Sequence, residues 1–371
     1  MSSESLAAIQ QRLKVSPSFV GIFGALGGSD LAACKRALDA AYRKLAFMTH
    51  PDQSPESHRD HATRVFQELG EAHRAATIAL EQGTYEHERF VATATFTLAS
   101  ALGEYTLGTD PYAEGSFSTI FAGIGPDGRR ILAKVARAPT DNPLLEHEAA
   151  LARRFAIEPS LRPAARFMPE LKDTFLVPDG ALQLRVSIYA HRTELRSLAT
   201  ILDAYPSGLP PEDAGWISRR VMAQALAAES VRMVHGAIIP AHVLVHPLAR
   251  EPLHLGWAHA QPASTAARIT HIVAEAKEFY PPEVFAKGVV DARTDIYMAG
   301  AVITKLFGGD VCGRSLPAHL PRSVRENILA CLHESPARRP QGARAALDAI
   351  TRSARDAWGK TYRPLVLPVR S

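Results

Sequence analysis

The stretch "YRKLAFMTHPDQS", residues 42–54, runs from a helical pattern into a rigid polar tripeptide. Its first half carries basic and aromatic residues without glycine or proline, which is typical of a helix. His50, Pro51 and Asp52 end that pattern, because proline fixes its own backbone and restricts the residue before it. The tripeptide is a candidate functional turn, and the simpler alternative is a capped turn beside a charged helix.

Apolar residues recur at spacings of three and four on both sides of the tripeptide, which places each set on one helix face. The first set is Leu31, Cys34, Leu38, Ala41, Leu45 and Met48, and the second is Ala62, Val65, Phe66, Leu69, Ala72 and Ala76. Ser29 or Asp30 is a suitable N-cap for the first helix. Two such helices joined by a short loop pack antiparallel to bury both faces. We therefore expect a helical hairpin within residues 19–82, after an extension over residues 1–18.

This hairpin, with His50-Pro51-Asp52 in its loop, resembles the J domain of DnaJ-type co-chaperones. "AYRKLAFMTHPD" (41–52) is similar to the family signature, and "VFQELGEAHRAA" (65–76) is similar to the helix that follows it. The resemblance covers about residues 19–85 and implies that this surface engages a DnaK-type chaperone and stimulates its ATP hydrolysis. The docking residues that it implies are His50, Pro51, Asp52, Arg36, Tyr42, Arg43 and Lys44.

The side chains themselves suit docking. Arg36, Arg43 and Lys44 lie seven to eight residues apart, which puts them together on the helix face away from the apolar set. A basic face steers association toward an acidic partner surface. Asp52 adds a carboxylate acceptor beside the rigid Pro51.

Composition narrows the class of protein. The 371 residues are 46% hydrophobic and 22% charged with a net charge of +4, as in a globular chain of two or three domains. Cys34, Cys312 and Cys331 are far apart, which argues against a disulfide framework and a zinc site. The first residues lack the pattern of a signal peptide, and no apolar run is long enough to span a membrane. We expect a cytoplasmic protein without a membrane partner, and no nucleic-acid role.

From about Phe96 the pattern changes to strands. Residues 96–108, 115–125 and 129–137 alternate between apolar and polar side chains, and glycine-rich turns separate them. From Asp213 onward the pattern is mostly helical again. Strands followed by helices predict an α+β module with a strand-rich and a helical lobe. We assign residues 83–104 to a linker and lead-in strand.

The region from about 105 to 355 resembles a protein kinase, with an N-lobe over residues 105–190 and a C-lobe and tail over 191–371. "YAEGSFSTIFAG" (112–123) is similar to the glycine-rich loop, and "ILAK" ends at Lys134, the position of the phosphate-binding lysine. Glu148 lies where the partner of that lysine belongs. By this resemblance, Gly115, Lys134 and Glu148 are the candidate nucleotide-binding residues.

Scaffold positions of the kinase pattern are also present. "YPPEVF" (280–285) is similar to the end of the activation segment, and "RTDIYMAGAV" (293–302) to the central helix of the large lobe. The resemblance implies that Asp295 is a buried acid and that Glu283 forms an ion pair with Arg339.

The residues that catalyse phosphoryl transfer in protein kinases are replaced in this sequence. Phosphoryl transfer needs a carboxylate base, and an Asp and an Asn that hold magnesium. At those three positions this sequence has Ala237, Gly256 and His242, and no Asp or Asn occurs between Ala214 and Val290. The family's second catalytic lysine is Ile239, the arginine before the missing aspartate is Gly236, and two loop glycines are Ala113 and Ser118. We interpret this half as a pseudokinase without enzyme activity.

Two interpretations stay open for the site that lacks these catalytic residues. Lys134 and Glu148 either hold ATP without magnesium or form a structural ion pair, and no cofactor is certain. His235, His242, His246, His254 and His259 cluster in sequence around the site, but their spacing matches no metal-ligand pattern, so we expect no metal.

The sequence therefore predicts an α+β multidomain protein: a small all-α J-domain hairpin followed by a bilobal kinase-like fold. The predicted function is a co-chaperone that recruits a DnaK-type ATPase, with the kinase-like half binding an unknown client or regulatory protein. The alternatives are an atypical nucleotide-binding enzyme, such as a kinase or nucleotidyl transferase with a rearranged site, and a pure pseudokinase scaffold.

Overall fold

A computed structural model describes residues 6–16, 18–27, 30–81, 85, 94–161, 165, 167–192, 195–246 and 252–359. Ten residues of the predicted linker and lead-in strand, 83–84 and 86–93, lie outside the described residues, as does the tail beyond residue 359. The architecture is α+β, with helices in the N-terminal region and a strongly curled antiparallel sheet. No helix in the described ranges is long and apolar enough to cross a membrane.

The helices of the N-terminal region are α1 (Leu6–Val15), α2 (Phe19–Phe23), α3 (Leu31–Thr49) and α4 (Arg59–Glu81). Short 3-10 turns, Pro51–Gln53 and Glu56–His58, connect α3 to α4. Asp30 caps α3 by accepting a hydrogen bond from the Ala33 amide at 2.7 Å, which satisfies one of the free N–H groups at a helix start.

Helices α3 and α4 pack antiparallel, as the two apolar faces predicted. Lys35 near the start of α3 pairs with Glu81 at the end of α4, and His50 after α3 contacts Phe66 near the start of α4. Most members of the predicted faces are buried, including Leu38 and Leu69. The prediction for Leu31 was wrong: this residue, the first of α3, is 47% exposed.

Helix α1 lies within the stretch that the sequence assigned to an extension. Its Ile9 and Leu13 are buried in the same apolar cluster as residues of α3 and α4. Ile22 and Phe23 of α2 belong to that cluster as well. The helical core is thus built from more than the hairpin.

The strands of the larger sheet are β1 (Thr95–Ser100), β2 (Gly103–Gly108), β3 (Ala113–Glu114), β4 (Ser118–Ile124), β5 (Arg130–Ala136), β6 (Leu171–Asp179) and β7 (Leu182–Ala190). Their order is β1-β2-β4-β5-β7-β6, with β3 paired to β4. The pairs β1–β2, β2–β4 and β6–β7 are antiparallel. Helix α5 (Asn142–Ile157) follows β5 and is joined to β7 by the side chain of Asn142, which bonds the backbone of Gln183 and Arg185. The strands predicted over 96–108, 115–125 and 129–137 are confirmed.

The helices of the C-terminal half are α6 (Leu198–Ala204), α7 (Pro211–Ser230), α8 (Pro282–Phe285), α9 (Ala292–Leu306), α10 (Arg322–Cys331) and α11 (Ala343–Trp358). Short strands accompany them: β8 (Arg196–Ser197), β9 (Met233–Val234), β10 (Val243–Val245), β11 (Pro252–His254) and β12 (Gln261–Pro262). Every residue of α9 from Thr294 to Thr304 is buried, and its apolar residues belong to the largest apolar cluster of the described chain.

The chain divides into two compact units. The first comprises residues 1–113 and 120–133, and the second comprises 114–119 and 134–371. The predicted boundaries between the hairpin, the N-lobe and the C-lobe stay predictions.

Candidate functional site

The first candidate site is the loop after α3. His50 ends α3, and its side chain accepts a hydrogen bond from the Asp52 amide at 3.3 Å, which shapes the 3-10 turn that starts at Pro51. The His50 ring meets the edge of Phe66 at 5.4 Å between ring centroids. The side chains of His50 and Asp52 are 46% and 82% exposed. The loop is thus held in shape by the helices and presents its polar atoms to solvent.

The exposed face of α3 continues this surface. Arg36, Arg43 and Lys44 are all exposed. Within the described part of the chain none of the three meets a carboxylate, and Arg43 bonds only the backbone oxygen of Asp39. Three cations that pair with no carboxylate among the described residues leave a positive field for a partner to meet. We call Arg36, Arg43, Lys44 and the 50–52 loop the docking face.

Two aromatic residues on α3 differ in their exposure. Tyr42, which the resemblance placed among the docking residues, is half-buried between α3 and α4, where its ring stacks on His73 at 4.2 Å. Phe47 was not singled out by the sequence, yet it is 69% exposed beside Arg43 and Lys44. A large apolar side chain displayed on a charged face is a candidate contact residue.

The second candidate site surrounds Lys134 on β5. Lys134 Nζ lies 2.6 Å from Glu148 Oε2 of α5, and both side chains are largely buried. Tyr189 at the end of β7 donates a longer hydrogen bond to the same oxygen, and burial with the Glu148 charge holds the pKa of Tyr189 well above its ordinary value. The Phe117 ring lies 4.8 Å from Nζ. The predicted ion pair is present, and its ammonium is held by protein groups on two sides.

The three positions at which the kinase resemblance predicts a base and two magnesium ligands lie together. His242 Nδ1 donates a hydrogen bond to the Ala237 carbonyl at 2.8 Å. Gly256 has φ +85°, and a Cβ there would come within 2.3 Å of His242 Nδ1. The His242 ring therefore fills the space that a side chain at position 256 would need. A carboxylate does not fit at this position while the ring lies there.

The histidines around this site are held neutral. Burial, with the nearby Lys134 charge, lowers the pKa of His242 to about 4. Burial, together with the His242 and Lys134 charges, lowers that of His259 to about 3. Burial also lowers the pKa of His254 to about 3 and that of His235 well below its ordinary value. No group of three or more His, Cys, Asp or Glu side chains in the described residues is placed to hold a metal ion.

A buried carboxyl fixes the loop that carries these residues. Asp295 of α9 accepts hydrogen bonds from the amides of His235 and Gly236 at 2.7 and 2.9 Å. Complete burial raises the pKa of Asp295 to about 7, although both amide bonds oppose that rise. Gly236 has φ +71°, a conformation that a glycine adopts without strain.

The predicted pair between Glu283 of α8 and Arg339 is also present. Arg339 makes two hydrogen bonds to the Glu283 carboxylate, at 2.6 and 2.8 Å, and its side chain is fully buried. Thr294 donates to the same carboxylate at 3.0 Å. The pair ties the segment before α9 to the chain after α10.

Comparison with known proteins found no matching family model and no matching curated protein sequence. The roles of the residues above accordingly rest on their geometry and on the sequence motifs.

Sequence reasoning missed Phe47, Phe117 and Tyr189 as parts of these sites. Phe47 and Phe117 lie inside the two sequence motifs. The exposure of Phe47 and the contact of Phe117 with Lys134 depend on how the helix and the loop are oriented in the folded chain. Tyr189 lies 41 residues from Glu148 along the chain, so no local pattern signals their contact.

Proposed function

We propose that this chain is a J-domain co-chaperone that recruits a DnaK-type chaperone and stimulates its ATP hydrolysis. The docking face supplies the contact: the 50–52 loop presents His50 and Asp52 at its tip, and the cations of α3 steer an acidic partner toward it. The observation that carries the proposal is the exposed His50-Pro51-Asp52 turn at the end of a helix whose solvent face holds Arg36, Arg43 and Lys44 without carboxylate partners among the described residues.

We further propose that the kinase-like half binds a client or regulatory protein and transfers no phosphate. The base position is Ala237, and the two magnesium positions hold His242 and Gly256 in mutual contact. A neutral ring at this place supplies neither the base nor the anionic ligands that phosphoryl transfer needs. The contact between Lys134 and Glu148, with Phe117 close to the ammonium, favours a structural ion pair over a nucleotide site.

A steady-state ATPase assay tests the co-chaperone role. A DnaK-type chaperone is mixed with the full chain, with its Asp52→Asn variant, or with Asp60→Asn, which removes the same charge from an exposed position in the first turn of α4. We expect the wild type and Asp60→Asn to stimulate ATP hydrolysis, and Asp52→Asn to fail. Full stimulation by Asp52→Asn would contradict the proposal, and absence of stimulation by the wild type would favour the scaffold alternative.

A phosphate-incorporation assay tests the second claim. The full chain with magnesium and labelled ATP should label neither itself nor a generic protein substrate. The loss of a base and two metal ligands removes contributions that are each worth orders of magnitude in rate. Labelling that Lys134→Met abolishes would establish an atypical enzyme instead.

A further inference from the structure

A cavity of about 250 Å³ lies in the second unit between α5 and two stretches of the chain, residues 258–261 and 268–271. We call it the α5 cavity. It is partly open to solvent, and its lining includes Leu144 and His147 from α5. Neither the docking face nor the contact of His242 with Gly256 uses it.

The charge of the α5 cavity is of one sign. Its ionisable lining residues are His147, His259, Arg268 and His271, and its lining contains no Asp or Glu. Arg268 bonds only the Ala267 carbonyl through its guanidinium, at 3.0 Å, and meets no carboxylate in the described ranges. A guanidinium has five N–H groups, so most of its donors are left for another acceptor.

Hydrogen bonds fix the walls of the cavity before any ligand arrives. His147 Nε2 donates to the Ala260 carbonyl at 2.6 Å, which ties α5 to the first stretch. The Gln261 side chain donates to the Arg268 carbonyl at 2.6 Å and accepts from the Arg268 amide at 3.3 Å, which ties the two stretches together. A preformed site loses less conformational entropy on binding than a flexible one.

One more donor belongs to the lining of the cavity. The Thr270 hydroxyl lies 2.9 Å from Nδ1 of the exposed His271. When that hydroxyl donates to Nδ1, the ring proton is on Nε2, where it is free to donate. The Arg268 guanidinium and the His271 imidazole both offer hydrogen-bond donors to the cavity. An anion would accept hydrogen bonds from both.

We propose that the α5 cavity binds a small oxyanion, with Arg268 as its principal ligand and His271 as a second donor. Arginine is the side chain best suited to the oxygen atoms of phosphate and carboxylate, because its N–H groups form a planar fork. A water occupies about 30 Å³, so the cavity has room for an ion of phosphate size with several waters. This proposal stands independently of the co-chaperone role, because the ligand set belongs to the second unit alone.

Isothermal titration calorimetry with inorganic phosphate tests the proposal on the full chain, with chloride holding the ionic strength constant. The key variant is Arg268→Gln. The control is Arg153→Gln, which removes the same charge from an exposed position on α5 outside the cavity. We expect wild type and Arg153→Gln to bind with the same Kd. Arg268→Gln should raise that Kd by about tenfold or more, as removal of a charge-assisted hydrogen bond does.

No binding by the wild type, or equal binding by Arg268→Gln, would overturn the site. Should Arg268→Gln fail to fold, the exposed His271→Leu decides instead, because leucine has no hydrogen-bond donor. That variant should keep the wild-type melting temperature and bind phosphate about threefold more weakly, since one neutral donor is lost. Binding as tight as that of the wild type would then contradict the proposed ligand set.

Discussion

The buried side chain of Arg339 forms hydrogen bonds to several separate segments of the chain. Beyond the Glu283 carboxylate, its guanidinium donates to the carbonyls of Arg293, His333 and Glu334, so all five N–H groups have acceptors. A charge in such a place is tolerated only because every donor is satisfied.

Replacing Arg339 by lysine should therefore not be conservative. An ammonium has three donors and no planar fork, so some of the five acceptors lose their hydrogen bond. The Glu283 carboxylate then keeps only part of its pairing. We expect Arg339→Lys to lower the free energy of unfolding by about 3 kcal/mol. The measurement is chemical denaturation beside Arg338→Lys, an exposed neighbour that should change stability by less than about 0.5 kcal/mol. Equal curves for both variants would mean that the fork geometry is dispensable.

Phe47 of α3 is 69% exposed beside the cations of the docking face. If it is buried by the chaperone on docking, Phe47→Ala loses about 1.5–3 kcal/mol of apolar contact, or about tenfold or more in affinity. The concentration of the chain at half-maximal ATPase stimulation should rise accordingly, while stability stays unchanged. Leu31→Ala is the matched control, since Leu31 is exposed on the same helix about 24 Å away. An unshifted half-maximal concentration for Phe47→Ala would exclude Phe47 from the contact.

At the scale of elements, helix α3 has two different faces, and the proposed co-chaperone role assigns recognition to the polar one. Its apolar face lies on α4, and its opposite face carries the cations. Reversing Arg43 and Lys44 to glutamate should slow association with the chaperone, because steering depends on the sign of that face. Raised salt should slow the wild type in the same way but should not slow the variant further, because in the variant salt screens a repulsion. Stopped-flow association rates measure both.

The same charge change on α4, at the exposed Arg59 and Arg64, is the control for this prediction. It alters the net charge equally but leaves the docking face intact. If both double variants associate equally slowly, net charge rather than the α3 face governs the encounter.

The elements also show what sequence can predict. The α3–α4 hairpin and the strands β1, β2, β4 and β5 follow from periodicity and turn residues, because those signals are local. The pairs of Lys134 with Glu148 and of Glu283 with Arg339 came from motif resemblance. The burial of α1 and the His242 ring over Gly256 could not be predicted, because each depends on contacts with distant segments.

At the scale of the whole molecule, buried histidines with shifted pKa values outnumber buried carboxyls with shifted pKa values among the described residues. Four histidines, His235, His242, His254 and His259, are kept neutral by burial, and Asp295 is kept partly protonated. Below pH 6.5 the unfolded chain protonates those histidines and the folded chain does not, so their contribution to stability is lost as the pH falls toward 4. Asp295 acts oppositely between pH 3.8 and about 7, but it is one group against four.

We therefore expect the free energy of unfolding to fall as the pH is lowered from 7 to 5. His254→Leu removes one of the four groups and should reduce this slope by about 1.4 kcal/mol per pH unit. His319→Gln, at an exposed position, should leave the slope unchanged. Denaturant melts at several pH values give the slopes, and a slope in His254→Leu equal to that of the wild type would show that His254 is not neutral in the folded state.

The central claim is that the 50–52 loop is a docking element, and the decisive measurement pairs chaperone ATPase stimulation with the free energy of unfolding in His50→Gln. Glutamine keeps an acceptor for the Asp52 amide, so the account predicts a change in stability within about 0.5–1 kcal/mol together with a loss of stimulation. His58→Gln, exposed in the next turn, should change neither quantity. A His50→Gln chain that loses stability but stimulates the ATPase like wild type would contradict the account.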